Sequence, residues 1–179
     1  MRWEALFEDM EAQLAAVRAA ELAADVADLT RAERATVPLL GRLRAAHGRP
    51  VSVRMSDGET VTGTVLEVAD QWLLLGDGPR RALVPLGAVA AVSGLPVAVQ
   101  PPTGSRVASR LGLGHALRAL ARDRVVVRVQ IDGAQLVGRL DRVGADHVDV
   151  TSTDGDGCAL PAGGVWTVAL AAVRVVRSG

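Results

Sequence analysis

The residues of this 179-residue chain with side chains able to do chemistry are few and scattered. His47, His115 and His147 lie far apart, with neither the spacing of a metal site nor a Cys or Ser nucleophile to activate. Asp154-Gly155-Asp156-Gly157 alternates carboxylates as a calcium loop does. It lacks the rest of an EF-hand loop and the terminal Glu, and so reads as a hairpin loop. No Gly-rich segment sits between a strand and a helix as phosphate binding requires. Cys158 is the single cysteine, which excludes an intrachain disulfide. Trp72 and Trp166 fall in strands and read as barrel or interface residues. The expectation is a protein that is not an enzyme, with no metal, no cofactor and no evident small-molecule substrate.

Charge is the second candidate. Twenty basic residues, all Arg, balance 20 acids, so no net field argues for nucleic acid or a membrane surface. The distribution is uneven: residues 1–36 hold four Arg and eight acids, whereas residues 101–128 hold six Arg and one Asp. Arg106, Arg110, Arg118, Arg122, Arg124 and Arg128 form a basic stretch able to meet phosphates, although it lacks the aromatics that stack bases. Pairing with the acidic first helix is equally available to them. The absence of Lys, Asn and Tyr reads as a GC-rich genome and says nothing about chemistry.

The elements that must position these residues follow from periodicity. Residues 2–36 contain no Pro or Gly and predict a long helix on which Trp3, Phe7, Met10, Leu14 and Val17 make one apolar stripe. That stripe packs on its own protein or on a partner. Thr36 is placed to cap a second, short helix that has Pro38 in its first turn and Gly48 beyond its end. Alternation then replaces the helical period. Val51, Val53 and Met55, the Asp57-Gly58 turn, Val61 to Val68, Trp72 to Leu75, and Leu83 to Val92 hinged at Pro85-Leu86-Gly87 predict five short strands. The uncharged stretches 82–105 and 157–173 are too rich in Pro and Gly for spanning helices. With the lone Cys and a charged N-terminus, a cytoplasmic location is expected.

The pattern recurs. Leu43-Arg44-Ala45 with Val51, Val53 and Met55 matches Leu117-Arg118-Ala119 with Val125, Val127 and Val129, at 74 residues' distance. An extra turn residue, Ile131, brings Asp57-Gly58 and Gly63 onto Asp132-Gly133 and Gly138 at a distance of 75. Val84 to Val92 returns as Val168 to Val176, with five identities in nine, after an insertion at 151–164.

The run Val51 to Met55, Asp57-Gly58, Gly63-Thr64-Val65, Trp72 to Leu75 and Val84 to Val92 resembles the Sm-like fold of Sm, LSm and Hfq proteins. Other small five-stranded barrels, including the PRC barrel, share its glycine spacing and its apolar terminal block. The resemblance implies a mainly β protein with an N-terminal helical arm and two tandem five-stranded Sm-like barrels, each preceded by a short helix. The segments expected are a helix over 1–36, a first barrel over 37–97, a linker over 98–109 and a second barrel over 110–179. As separate barrels the two would not share one continuous sheet. The family's RNA-binding residues do not carry over. Its aspartate position falls on Ala69 and its asparagine position on Leu73, and Pro85-Leu86-Gly87 and Ala169-Leu170-Ala171 stand where Hfq has a Tyr-Lys-His segment.

The resulting expectation is an assembly or adaptor protein that binds a protein partner or itself. The terminal strands near Val84 to Val92 and Val168 to Val176 would make a module–module or chain–chain contact, because a bent sheet leaves unpaired edges. The alternative is a nucleic-acid (RNA) binding regulator using the Arg106 to Arg128 stretch. Val53, Val65, Leu73, Leu75 and Val89, with Val127, Leu140, Val148, Val150 and Val173, are the expected core.

Overall fold

Alternating apolar residues bounded by Gly-containing turns become strands here, and the two Leu- and Ala-rich segments before them become helices. The computed structural model describes residues 18, 22, 37–97, 112–153 and 164–179. The chain divides into two compact units, Met1–Pro38 and Leu39–Gly179. In the first, Arg18 and Leu22 are helical and exposed, and the stripe Trp3, Phe7, Met10, Leu14 and Val17 lies outside the described residues.

The second unit opens with α1 (Leu39–Ala45), followed by β1 (Pro50–Met55), β2 (Thr60–Val68), β3 (Trp72–Asp77), β4 (Arg80–Pro85), a 3-10 turn (Leu86–Ala88) and β5 (Val89–Ser93). The order then repeats as α2 (Leu113–Arg122), β6 (Val126–Ile131), β7 (Ala134–Val143), β8 (His147–Ser152), β9 (Val165–Ala169), a 3-10 turn (Leu170–Ala172) and β10 (Val173–Ser178). Pro38 immediately precedes α1, where its missing N–H costs nothing. α2 turns Leu113 and Leu117 inward and keeps His115, Arg118 and Arg122 exposed.

Among the described residues all ten strands belong to one open antiparallel sheet in the order β5-β1-β2-β3-β4-β10-β6-β7-β8-β9. This corrects the expectation of two separate barrels. The halves share strand order and pairing, yet β4 and β10 join edge to edge, so that one sheet runs through both. The physical reason is the edge itself: lateral pairing satisfies backbone groups that would otherwise lie open.

The ladders also correct the alignment of the repeat. Val51 pairs with Gly63 and Val53 with Val61, while Val127 pairs with Gly138 and Val129 with Leu136. Val51, Val53 and Met55 therefore correspond to Val127, Val129 and Ile131, not to Val125, Val127 and Val129. The second half is two residues longer between helix and strand, where Arg124 takes a left-handed conformation (φ 51°), and its hairpin has no counterpart of Ser56. A shift of two residues keeps every side chain on its own face, so alternation alone could not detect it. Elsewhere the equivalences hold. Bulges fall between Val65 and Glu67 and between Leu140 and Arg142, and again where β1 meets β5 and β6 meets β10. Thr151 and Ser152, assigned above to the insertion, belong to β8.

Two apolar clusters fill the unit. One gathers Leu43, Val53, Met55, Val65, Leu73, Leu75 and Val84, the other Leu117, Val127, Val129, Leu136, Leu140, Val148 and Val150. Of the ten expected core residues nine are buried, and Val89 is only half-buried against the first cluster. Among the described residues no helix is long and apolar enough to cross a membrane.

Candidate assembly interface

The joint between the halves is built from strands with consecutive apolar residues. On β10, Val175 is buried in the first cluster and the adjacent Val176 in the second. On β4, Leu83 belongs to the second cluster and Val84 to the first, and on β3 Trp72 and Leu73 divide in the same way. Each pair projects to opposite faces of its strand, so both faces are covered, one by each half's core. Leu83 stands directly opposite Val176, followed by Ala82 opposite Arg177 and Arg81 opposite Ser178.

Two polar contacts fix the register. The Arg177 guanidinium donates to Glu59 Oε1 at 3.1 Å, linking the last strand to the first hairpin. Arg128 faces Arg177 across the β6–β10 ladder, a like-charge pairing that Glu59 offsets. On the helix side, Leu113 N–H at the start of α2 donates to Gln71 Oε1 at 3.1 Å. A Cβ on Gly112 would come within 2.9 Å of that oxygen, a contact that a shift of the flexible Gln71 side chain would relieve. Around it opens a groove of about 430 Å³ lined by Gln71, His115, Arg118, Ala145 and Leu170 among others.

Further ion pairs brace the second half. Arg174 grips Asp132 through both carboxylate oxygens at 2.7 Å, and this hydrogen-bonded contact holds the Asp132 carboxyl below its ordinary range and raises Arg174. The His147 ring beside Asp146, at 2.8 Å, likewise lowers the Asp146 carboxyl. Among the described residues no group of three or more His, Cys, Asp or Glu is placed to hold a metal ion.

Of the basic stretch, Arg118, Arg122, Arg124 and Arg128 are among the described residues. Arg106 and Arg110 lie outside the described residues, as do Cys158 and the 154–157 loop. Arg118 donates to Gly144 O at 3.2 Å, Arg122 ends α2, Arg124 sits in the following connection, and Arg128 projects from β6. Sequence reasoning missed Glu59 and Gln71; it placed Val175 and Val176 in a contact-forming terminal strand but not in two different cores, for which the signal was two adjacent valines breaking an alternating strand. The expected terminal blocks meet the joint at their margins: Leu83 and Ala82 just precede Val84, and Val176 closes the second block. The chain matches no protein-family model and no curated protein sequence.

Proposed function

We propose that this chain is a non-enzymatic assembly or adaptor protein built on two tandem Sm-like modules, with strand edges as its working surfaces. The observation that carries the reading is the β4·β10 joint. The chain already uses lateral strand pairing to fuse two like halves, and the same sheet ends in two further edges, β5 and β9. The Sm-like reading is supported by the short helix before five strands in each half, with glycine after the first strand, at Gly58 and Gly133, and in the second, at Gly63 and Gly138. Partners are extended protein segments or further copies of the chain.

Sedimentation velocity of the full chain from low to high micromolar, beside mobility shifts with mixed RNA and DNA at two salt concentrations, tests the reading. Mass that rises with concentration, without retention of nucleic acid, supports it. A monomer that shifts nucleic acid at low salt, and loses it steeply as salt rises, moves the function to the arginines between Arg106 and Arg128.

A further inference from the structure

The two outer edges of the sheet are unlike each other and unlike the joint. β5 is the counterpart of β10 and carries the same bulge, at Ala90 as β10 does at Arg174, but at Gly94 the chain turns aside with φ 86°. That leaves Val92 and Ser93 in the positions of Val176 and Arg177, and nothing extended in the position of Ser178. The anchors of the joint are missing as well. Val175 corresponds to Ala91, Arg177 to Ser93 and Glu59 to Ala134, while Trp72 corresponds to His147 and Leu83 to Thr167. A head-to-tail repeat of the joint, β9 of one copy on β5 of the next, would have two rungs, less of the apolar grip and none of the ionic one.

β9 is different. It pairs with β8 over five regular rungs, from His147 opposite Ala169 to Thr151 opposite Val165, with no bulge. Ser152 N–H donates to Gly164 O and Leu170 N–H to Asp146 O. By the alternation of an antiparallel ladder, the even-numbered residues of β9 then direct their backbone groups to β8. Val165, Thr167 and Ala169 direct theirs to the outer edge, which pairs with no other strand among the described residues. The strand Val-Trp-Thr-Val-Ala carries no charge and no Pro, the usual devices that blunt an edge, and Val165 is 66% exposed.

The geometry points to β9 as the docking edge for β9 of a second copy, antiparallel about a two-fold axis at Thr167. This rests on the assembly reading above and names its partner. In that register Thr167 faces Thr167 of the second copy, Val165 faces Ala169, and Trp166 faces Val168 twice, giving two aromatic–β-branched pairs. The contact is self-complementary and closes at a dimer. The neighbouring acid, Asp149, already accepts a hydrogen bond from the Thr167 hydroxyl at 2.7 Å. Its mate in the second copy lies three strand spacings away, about 14 Å, where physiological salt screens the repulsion. Five rungs make a small interface, so association is sought up to several hundred micromolar.

Thr167→Cys in a Cys158→Ser full-length chain tests this. Facing Cα atoms of a hydrogen-bonded antiparallel pair sit about 5.5 Å apart, within disulfide reach. Mild oxidation should give a covalent dimer, whereas Ala91→Cys in the same background should stay monomeric. Thr167→Pro removes an N–H that faces the outer edge and leaves the β8 ladder intact. With circular dichroism unchanged it should weaken association at least tenfold in sedimentation, and Thr167→Lys serves the same purpose if the proline variant misfolds. Wild-type self-association without Thr167→Cys cross-linking, or cross-linking only between Ala91→Cys and Thr167→Cys chains, overturns the β9 pairing and leaves the assembly reading standing. A wild-type chain that stays monomeric to several hundred micromolar overturns both.

Discussion

Val175 lies on the last strand of the second half, yet its side chain is part of the first half's core at 0% exposure. Val175→Ala therefore separates two accounts of the sheet. If the halves are one cooperative structure, a change in the final strand must loosen the first hairpins. Removing two methyl groups forfeits about 1.6 kcal/mol of transfer free energy, and the cavity left in the first cluster brings the loss to roughly 2–3 kcal/mol. With a urea dependence of about 2 kcal/mol per molar, the unfolding midpoint should fall by about 1 M in a single transition. Amide exchange supplies the local reading: protection at Val53, Leu75 and Val84 should drop along with that at Val129 and Val150. Two separable transitions, with the protection of Val53 and Leu75 unchanged, would refute the reasoning and restore two independently stable halves.

The remaining predictions concern the bracing contacts. Glu59→Gln should lower stability by about 0.5–1 kcal/mol, because it uncovers the facing Arg128 and Arg177; urea unfolding should show the difference shrinking as salt rises. Gly138→Ala places a Cβ against the Thr151 carbonyl, a backbone atom unable to move alone, and should cost roughly 1–3 kcal/mol in the same assay. The Asp132 carboxyl is depressed below 3.8 by its hydrogen bonds from Arg174, so its contribution is fully present above that value and is lost as pH falls through the depressed one. Acid titration of the fold should accordingly be less steep below pH 3.8 in Asp132→Asn, with little difference between the variants' slopes near neutrality.

How far the fold was legible can be traced residue by residue. The Asp-Gly turns were readable because Gly58 and Gly133 occupy left-handed conformations (φ 90° and 71°) that few other residues adopt. Inward positions such as Val53, Val65, Leu75 and Val150 were readable from alternation, and the helix before β1 from its Leu spacing and the left-handed Gly48 beyond its end, whereas its expected cap, Thr36, lies outside the described residues. The two-residue shift of β6 was not readable, since period-two patterns are blind to it. Nor was the Glu59–Arg177 pair, which joins residues 118 apart through a pairing of strands that local sequence does not specify.

The joint itself was written in the contrast between the repeats. β3 begins Trp72-Leu73-Leu74-Leu75, whereas its counterpart β8 reads His147-Val148-Asp149-Val150. An unbroken apolar run belongs to a strand covered on both faces, and strict alternation to one with a face left to solvent or to a polar partner. The substitutions Trp to His, Leu to Asp and, on the neighbouring strand, Leu83 to Thr167 therefore mark where the fused sheet stops being a core and becomes a surface. Had both copies kept the apolar set, each chain would present on β8 and β9 the surface that grips a further module, and growth would have no built-in end. Polar residues at those positions, with a β5 cut short at Gly94 at the other end, confine the apolar joint to the inside of one chain.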